Sequence, residues 1–353
     1  MNAVKFSPNR VWRVYQGGSG IDALRRAETQ CDGSFPEDWI ASTSKANNPQ
    51  YPAENQGLSK IITADGSEQF FHEYLAADPV NTLGEAHFAK HGANAVLLMK
   101  ILDAAERLPI QVHPTVPDAE RYFNSKFGKT EAWYVVATRE VNGETPYLLL
   151  GFNDKLDKET FLDEARHGDF PTGKEMLHKL TVKPGDCFIV PGGTPHAIGC
   201  GCTIIEVMEP SDLVVQPEFF CGKQRLSESE RWSNADPEEA LKSFIFANET
   251  EAELRKRCSP EPEAIDASLS RLIPYSLACY FEVQKLQCST SYRFFNREKM
   301  HRAGVITAGD LQLKTADGIL ELHRGDAFFL PYALMECEFL GNGEIIFALP
   351  PRL

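Results

Sequence analysis

Gln111 and His113 sit two residues apart in RLPIQVHP (residues 107–114), an amide and an imidazole among apolar neighbours. In an extended strand alternate side chains share a face, so positions 109, 111 and 113 look into one space while Ile110 and Val112 turn to the other. Alone, that pair also suits the polar side of an edge strand. Glu131 opens the apolar run EAWYVVAT, and His196 follows a tight Pro-Gly-Gly corner in GDCFIVPGGTPH. Together the four residues offer an amide oxygen, two imidazole nitrogens and a carboxylate. Such a mixed N/O set suits a divalent ion such as zinc, manganese or iron, with positions left for a substrate. A carboxylate buried without a partner of that kind would be costly.

The elements that must position these groups read as strands. AVLLMKIL (95–102), LPIQVHP, EAWYVVAT, PYLLLGF and the run from KLTVKPGDCFIVPGGTPHAI through CTIIEVME are rich in β-branched and aromatic residues and punctuated by Pro and Gly. That pattern predicts antiparallel barrels or sandwiches, a mainly β fold. The expected organisation has five parts. Residues 1–63 supply N-terminal strands to the site-bearing barrel, and 64–95, with wider apolar spacing, form a helical insertion. Residues 96–223 form the metal-binding barrel. Residues 224–275 form a helical segment, with Asp236 as an N-cap before Pro237. Residues 276–353 form a second barrel. LTVKPGDCFIVPGGTPH (180–196) aligns without gaps to LELHRGDAFFLPYALME (320–336), so the two barrels read as an internal repeat. The second copy has Glu336 where the first has His196, which predicts a metal-free barrel.

Composition narrows the function. With 353 residues and 42% hydrophobic content the chain can bury two cores, and a net charge of −14 with no basic stretch argues against nucleic acid as a partner. No apolar run approaches the ~18 residues of a membrane span, and the first residues lack the apolar core of a secretory signal. Nine cysteines, an odd number without C-x-x-C spacing, suit reduced thiols, so a cytoplasmic location is expected. Cys200 and Cys202 could ligate a metal as C-x-C, but read better as buried core thiols. Oligomeric state is not encoded in any of these features.

The spacing G-x5-P-x-G-x2-H from Gly185 to His196 resembles the second motif of the cupin family, whose usual asparagine four residues further on is Cys200 here. More specifically, KILDAAERLPIQVHP, GKTEAWYVV, GDCFIVPGGTPHAIGCG and IIEVMEPSDLVV, in that order, resemble the type I phosphomannose isomerase (mannose-6-phosphate isomerase) family. Weaker likeness extends to EDWIAS, to TLGEAHFAKHGANAVLLMK and to the segment from CYFEVQKL onwards. The resemblance implies two cupin-type β-barrels, and one catalytic zinc held by Gln111, His113, Glu131 and His196; manganese, iron or cobalt would suit the same donors. It also singles out Lys129, Lys100 and Glu206 as pocket residues and counts Gln216 and Trp133 as substrate-binding.

The implied reaction moves a proton between C2 and C1 of a sugar phosphate through an enediol, interconverting mannose 6-phosphate and fructose 6-phosphate. Glu206 is the expected base, Lys129 the partner of a substrate oxygen, and Lys100 a point charge for a terminal phosphate. Two positions depart from the family pattern. Gln216 replaces the arginine that ends the segment after Ser-Asp, and Pro109 replaces a serine two residues before the ligand glutamine. Lys223 and Arg225 are the nearby cations that could compensate. Three other readings stay open: an isomerase of another or unphosphorylated sugar, a non-catalytic sugar-binding or regulatory barrel, and an iron-dependent oxygenase. Gln111 and the helical insertion argue against the last.

Overall fold

Strand alternation separates the chemistry from the packing. In this computed structural model, which describes residues 2–353, six antiparallel strands form one sheet in the order Cys187–Val190, Glu131–Thr138, Cys202–Met208, Leu98–Asp103, Glu37–Ile40 and Arg10–Val11. A three-stranded sheet of His196–Ile198, Tyr147–Phe152 and Leu177–Thr181 faces it. Leu102, Trp133, Val135 and Ile204 from the first sheet meet Leu148, Leu150, Leu180 and Ile198 from the second in one core. The alternate residues Met99, Ile101, Ala132, Tyr134, Ile205 and Val207 point the other way, into a core shared with the C-terminal half. Because both faces are buried, these strands read as nearly unbroken apolar runs. Three of their polar residues, Lys100, Glu131 and Glu206, share the inner face, on the same alternation as Leu102, Trp133 and Ile204.

The C-terminal half is built on an eleven-stranded antiparallel sheet whose longest members are Arg302–Thr315 and Glu336–Leu349. The fold is therefore mainly β, with two cupin-type units and helical insertions, among them Phe71–Ala77, Pro79–Leu83 and Glu85–His91 between the N-terminal strands and the site-bearing sheet. The internal repeat is visible as a duplicated turn. Asp186 accepts from the Lys183 N–H at 3.0 Å, and Asp326 accepts from the His323 N–H at 2.7 Å. Gly185 and Gly325 take matching left-handed φ values of +94° and +88°. Glu336, which takes the place of His196 in the second copy, stands exposed beside Arg293.

The N-terminal segment departs from its expected assignment. Only Arg10–Val11 and Glu37–Ile40 join the site-bearing sheet. Val4–Phe6, Lys60–Ile62 and Glu68–Phe70 extend the C-terminal sheet instead, with Val4 opposite Phe329. That sheet also begins before residue 276, at Glu263–Ala264 and Leu269–Ile273. The physical reason is that strand pairing follows exposed sheet edges rather than sequence order, and short strands carry little periodicity from which to assign a partner.

Candidate metal centre and substrate cavity

One row of residues crosses the six-stranded sheet. Trp39 lies opposite Lys100, Lys100 opposite Glu206, Glu206 opposite Trp133, and Trp133 opposite Phe188. Glu131 is two residues along from Trp133, and therefore on the same inner face. From the other side, the extended segment around Gln111 pairs back to back with His196, each backbone N–H donating to the other's carbonyl at 2.9 Å. Ile110 and Val112 point away into a separate apolar cluster. Alternation in RLPIQVHP thus holds, although the segment makes isolated bridges rather than a continuous strand.

His113, Glu131 and His196 offer ligand atoms that all lie within 4.8 Å of one another, and all three are buried. The tautomers are fixed from outside. His113 donates through Nδ1 to the Leu213 carbonyl at 2.8 Å, and His196 through Nδ1 to the Thr194 carbonyl at 2.9 Å. Each ring then presents the Nε2 lone pair inward, as metal-binding imidazoles do. Burial lowers the pKa of His113, with Lys129 adding to the effect, and burial together with His113 takes His196 down to about 3. Both shifts favour the neutral imidazole. His196 Nε2 has no hydrogen-bond partner although it is fully buried. The Lys129 ammonium sits among the donors, 2.9 Å from Glu131 Oε1 and 3.1 Å from His113 Nε2, as a surrogate cation. Burial alone would raise the Glu131 pKa, but Lys129 and His113 hold it well below the usual carboxylate range. These three donors fit a divalent cation, and Gln111, the fourth expected ligand, lines the adjoining cavity.

Glu206 lies beside this cluster. Its carboxylate is 3.1 Å from Lys100 Nζ, and burial, with the charge of Glu131 adding, pushes its pKa up to about 7. Lys100 also lies 3.6 Å from Glu37 and over the Trp39 ring. Burial would lower the Lys100 pKa, but Glu206 and Glu37 raise it above the ordinary value. Glu37 is a hub that accepts from Arg13 Nε at 2.9 Å, Trp39 Nε1 at 2.7 Å and the Tyr15 hydroxyl at 2.8 Å.

The cavity is lined by Lys100, Gln111, Lys129, Glu131, Glu206 and Gln216, and by Pro109, all singled out in the sequence. Trp133 is different. It is 0% exposed and off the cavity wall, and its indole donates to Glu131 Oε2 at 3.1 Å and packs edge-on against His196. Its contacts are therefore with the donors Glu131 and His196 rather than with the cavity space. Lys223 and Arg225 are exposed and absent from the lining; Arg225 lies over Phe219 instead. Cys200 and Cys202 remain buried thiols.

The sequence reading missed Arg13, Tyr15, Glu37, Asn47, Asn48, Asp212 and Glu230, which also line the cavity. Two of them lay within motifs already singled out: Glu37 opens EDWIAS, and Asp212 is the aspartate of IIEVMEPSDLVV.

No family model matches the chain. It is similar to the mannose-6-phosphate isomerase ManA of Bacillus subtilis, 30% identical over 255 residues, 71% of this chain and 73% of the relative. The mannose-6-phosphate isomerase of Streptococcus mutans is 30% identical over 250 residues, 71% and 72% of the two chains. Among solved structures, the mannose 6-phosphate isomerase from Bacillus subtilis superposes with a TM-score of 0.73 at 20% identity, covering 99% of both chains. A mutant of phosphomannose isomerase from Salmonella typhimurium superposes with a TM-score of 0.72 at 16% identity, covering 100% of both. No helix among the described residues is long and apolar enough to cross a membrane.

Proposed function

The chain belongs to the mannose-6-phosphate isomerase family of aldose–ketose isomerases, and from that premise we propose that it interconverts mannose 6-phosphate and fructose 6-phosphate by proton transfer through an enediol. The observation that carries this reading is the pairing, in one cavity, of inward-facing neutral histidines around Glu131 with a nearby buried carboxylate, Glu206, of raised pKa.

In this reading Gln111, His113, Glu131 and His196 hold one divalent ion, zinc in the first instance, which supplies Lewis-acid polarisation of the substrate carbonyl. Glu206 takes the proton from C2 and returns it to C1, a task suited to a base whose pKa lies near neutrality. Lys100, 3.1 Å away, balances its charge when ionised. Lys129, at the edge of the donor cluster, would donate to the substrate oxygen on which negative charge develops once an ion takes its place among the donors. Gln216 faces the sugar as a neutral donor and acceptor. The buried sheet walls exclude bulk water and so protect the enediol. Nine free thiols support a reducing cytoplasmic setting, and the net charge of −14 supports a small-molecule partner rather than nucleic acid.

The test is a coupled assay for fructose 6-phosphate formed from mannose 6-phosphate, before and after chelation and with zinc, manganese, iron or cobalt restored. Loss on chelation and recovery with one of the ions is the expected result. Turnover unaffected by complete metal removal would overturn the assignment.

A further inference from the structure

The family's arginine is absent at position 216, yet a guanidinium does enter the cavity from a distant part of the chain. Arg13 belongs to a set of ion pairs that line the cavity. Lys129 meets Glu131 at 2.9 Å in the donor cluster, Lys100 meets Glu206 at 3.1 Å and Glu37 at 3.6 Å, and Glu37 meets Arg13 Nε at 2.9 Å. Asp212 is the other partner of Arg13. Arg13 Nη2 donates to Asp212 Oδ1 at 2.8 Å, Nη1 donates to Oδ2 at 3.2 Å, and the Asn47 backbone N–H donates to the same Oδ2 at 2.9 Å.

This arrangement is an anion cradle with an internal occupant. The fork of a guanidinium that grips a carboxylate through two nitrogens matches phosphate equally well. Arg13 is preorganised, because Glu37 fixes Nε and the guanidinium lies 5.0 Å over the Trp39 ring. Asp212 is not anchored in this way. Among the described residues its carboxylate accepts hydrogen bonds only from Arg13 and Asn47, and it stands in a loop after the strand Cys202–Met208. Rotating its side chain out breaks no sheet pairing.

Space gives an independent argument. The cavity offers a water-sized body about 80 Å³ of free volume, whereas sites for small organic ligands enclose roughly 300–1,000 Å³. A sugar phosphate therefore needs part of the wall to yield. Asp212 is the wall residue whose every acceptor contact a phosphate oxygen can take over. The exchange puts one anion in place of another, so the guanidinium is never left buried without a counter-charge.

We propose that Arg13 and the Asn47 backbone N–H form the phosphate subsite of this enzyme, and that Asp212 occupies the subsite as a built-in competitor that the substrate phosphate displaces. The proposal rests on the isomerase reading above and adds the residues that select a phosphorylated sugar. It moves the phosphate contact from Lys100, which faces Glu206 and Glu37, to Arg13.

The experiment compares the kcat/KM preference for mannose 6-phosphate over mannose in the metal-loaded wild type, Arg13→Met, Arg13→Lys and Asp212→Asn. Thermal melting with and without inorganic phosphate is recorded alongside. Loss of the charge-assisted fork predicts an about 10- to 100-fold fall in preference in Arg13→Met, with a smaller fall in Arg13→Lys, which keeps the charge but not the fork. Removing the competitor predicts a several-fold lower KM for mannose 6-phosphate in Asp212→Asn. Phosphate should raise the melting temperature of the wild type, raise that of Asp212→Asn at lower concentration, and leave Arg13→Met unmoved. An unchanged preference in Arg13→Met, or a raised KM for mannose 6-phosphate in a folded Asp212→Asn, would overturn the proposal. If the wild type turned over neither sugar, the isomerase reading would fail, and the melting curves would still decide whether Arg13 and Asp212 govern an anion site.

Discussion

Glu206 is a carboxylate that the fold both buries and leaves beside a lysine. Replacing it with glutamine keeps the shape and removes the base, so turnover should fall by roughly 10²–10⁴-fold, while metal content measured by atomic spectroscopy stays at one ion per chain. The pH profile follows from the same environment. Burial and the charge of Glu131 push the carboxyl up to about 7, and a bound divalent cation draws it back down. Activity requires the deprotonated base, so kcat/KM should be full above the Glu206 pKa and decline as pH falls through it, with the acid limb at or below about 7. A profile flat through this range would remove Glu206 from the role. At this scale the inward-facing residues were legible because each interrupts a strand that is otherwise apolar on both faces. Arg13 and Asp212 were not. They meet across 199 positions, and although Asp212 lies in a recognisable motif, no spacing rule joins it to Arg13 before the sheets are assembled.

The Pro-Gly-Gly corner shows how an element sets ligand geometry. The Gly193 N–H donates to the His113 carbonyl at 2.8 Å, so the corner leading to one ligand is tied to the strand bearing another. Gly193 has φ +87°, and an added Cβ would come within 2.4 Å of the Ile245 side chain. Ile245 is exposed and can move aside, so the main cost of Gly193→Ala is backbone strain, about 1–2 kcal/mol. The expected result is a lower melting temperature of the metal-free protein, together with weaker metal affinity in competition with a chelator. Unchanged affinity would mean that the corner does not hold the ligands. The corner and the duplicated Gly-Asp turn were readable in the sequence because both depend on glycine at a left-handed φ. Val4–Phe6 and Lys60–Ile62 pair with the other sheet for the opposite reason, since two or three extended residues fit any free edge.

Across the whole molecule, a cluster of histidines joins the helical insertion to the second barrel. His87 donates to the Asn94 carbonyl at 2.8 Å and His301 to the Ala95 carbonyl at 2.9 Å, with the two rings in edge contact and His91 against His87. Burial pushes the His87 pKa down to about 4, and burial together with His87 pushes His301 down to about 3, from an ordinary value of 6.5. The unfolded chain takes up protons at these rings below 6.5 while the folded protein does not. Stability is therefore unaffected by them above 6.5 and falls as pH drops below it, by up to ~1.4 kcal/mol per pH unit for each ring. Urea unfolding of the metal-free protein at several pH values should show a shallower pH dependence in His87→Asn/His301→Asn than in the wild type. Equal slopes would refute this account. The two-barrel plan was visible in the repeat, but this junction was not, because its histidines come from segments that meet only when both halves are folded.

The placement of Val4–Phe6 between Lys60–Ile62 and Ala327–Leu330 also has a consequence in time. Lys5 and Asp326, which form an ion pair across that seam, are 321 positions apart. At ~5–20 residues per second, ribosomal synthesis separates their appearance by on the order of 15 to 60 s. During that interval the early strand has an open edge and no second neighbour, the condition in which strands recruit foreign partners. The site-bearing barrel has all its strands much sooner, yet its outer face stays uncovered until the far end of the chain arrives. Two units that follow one another along the chain are thus completed together, and the nascent protein depends on whatever shields that face while it waits.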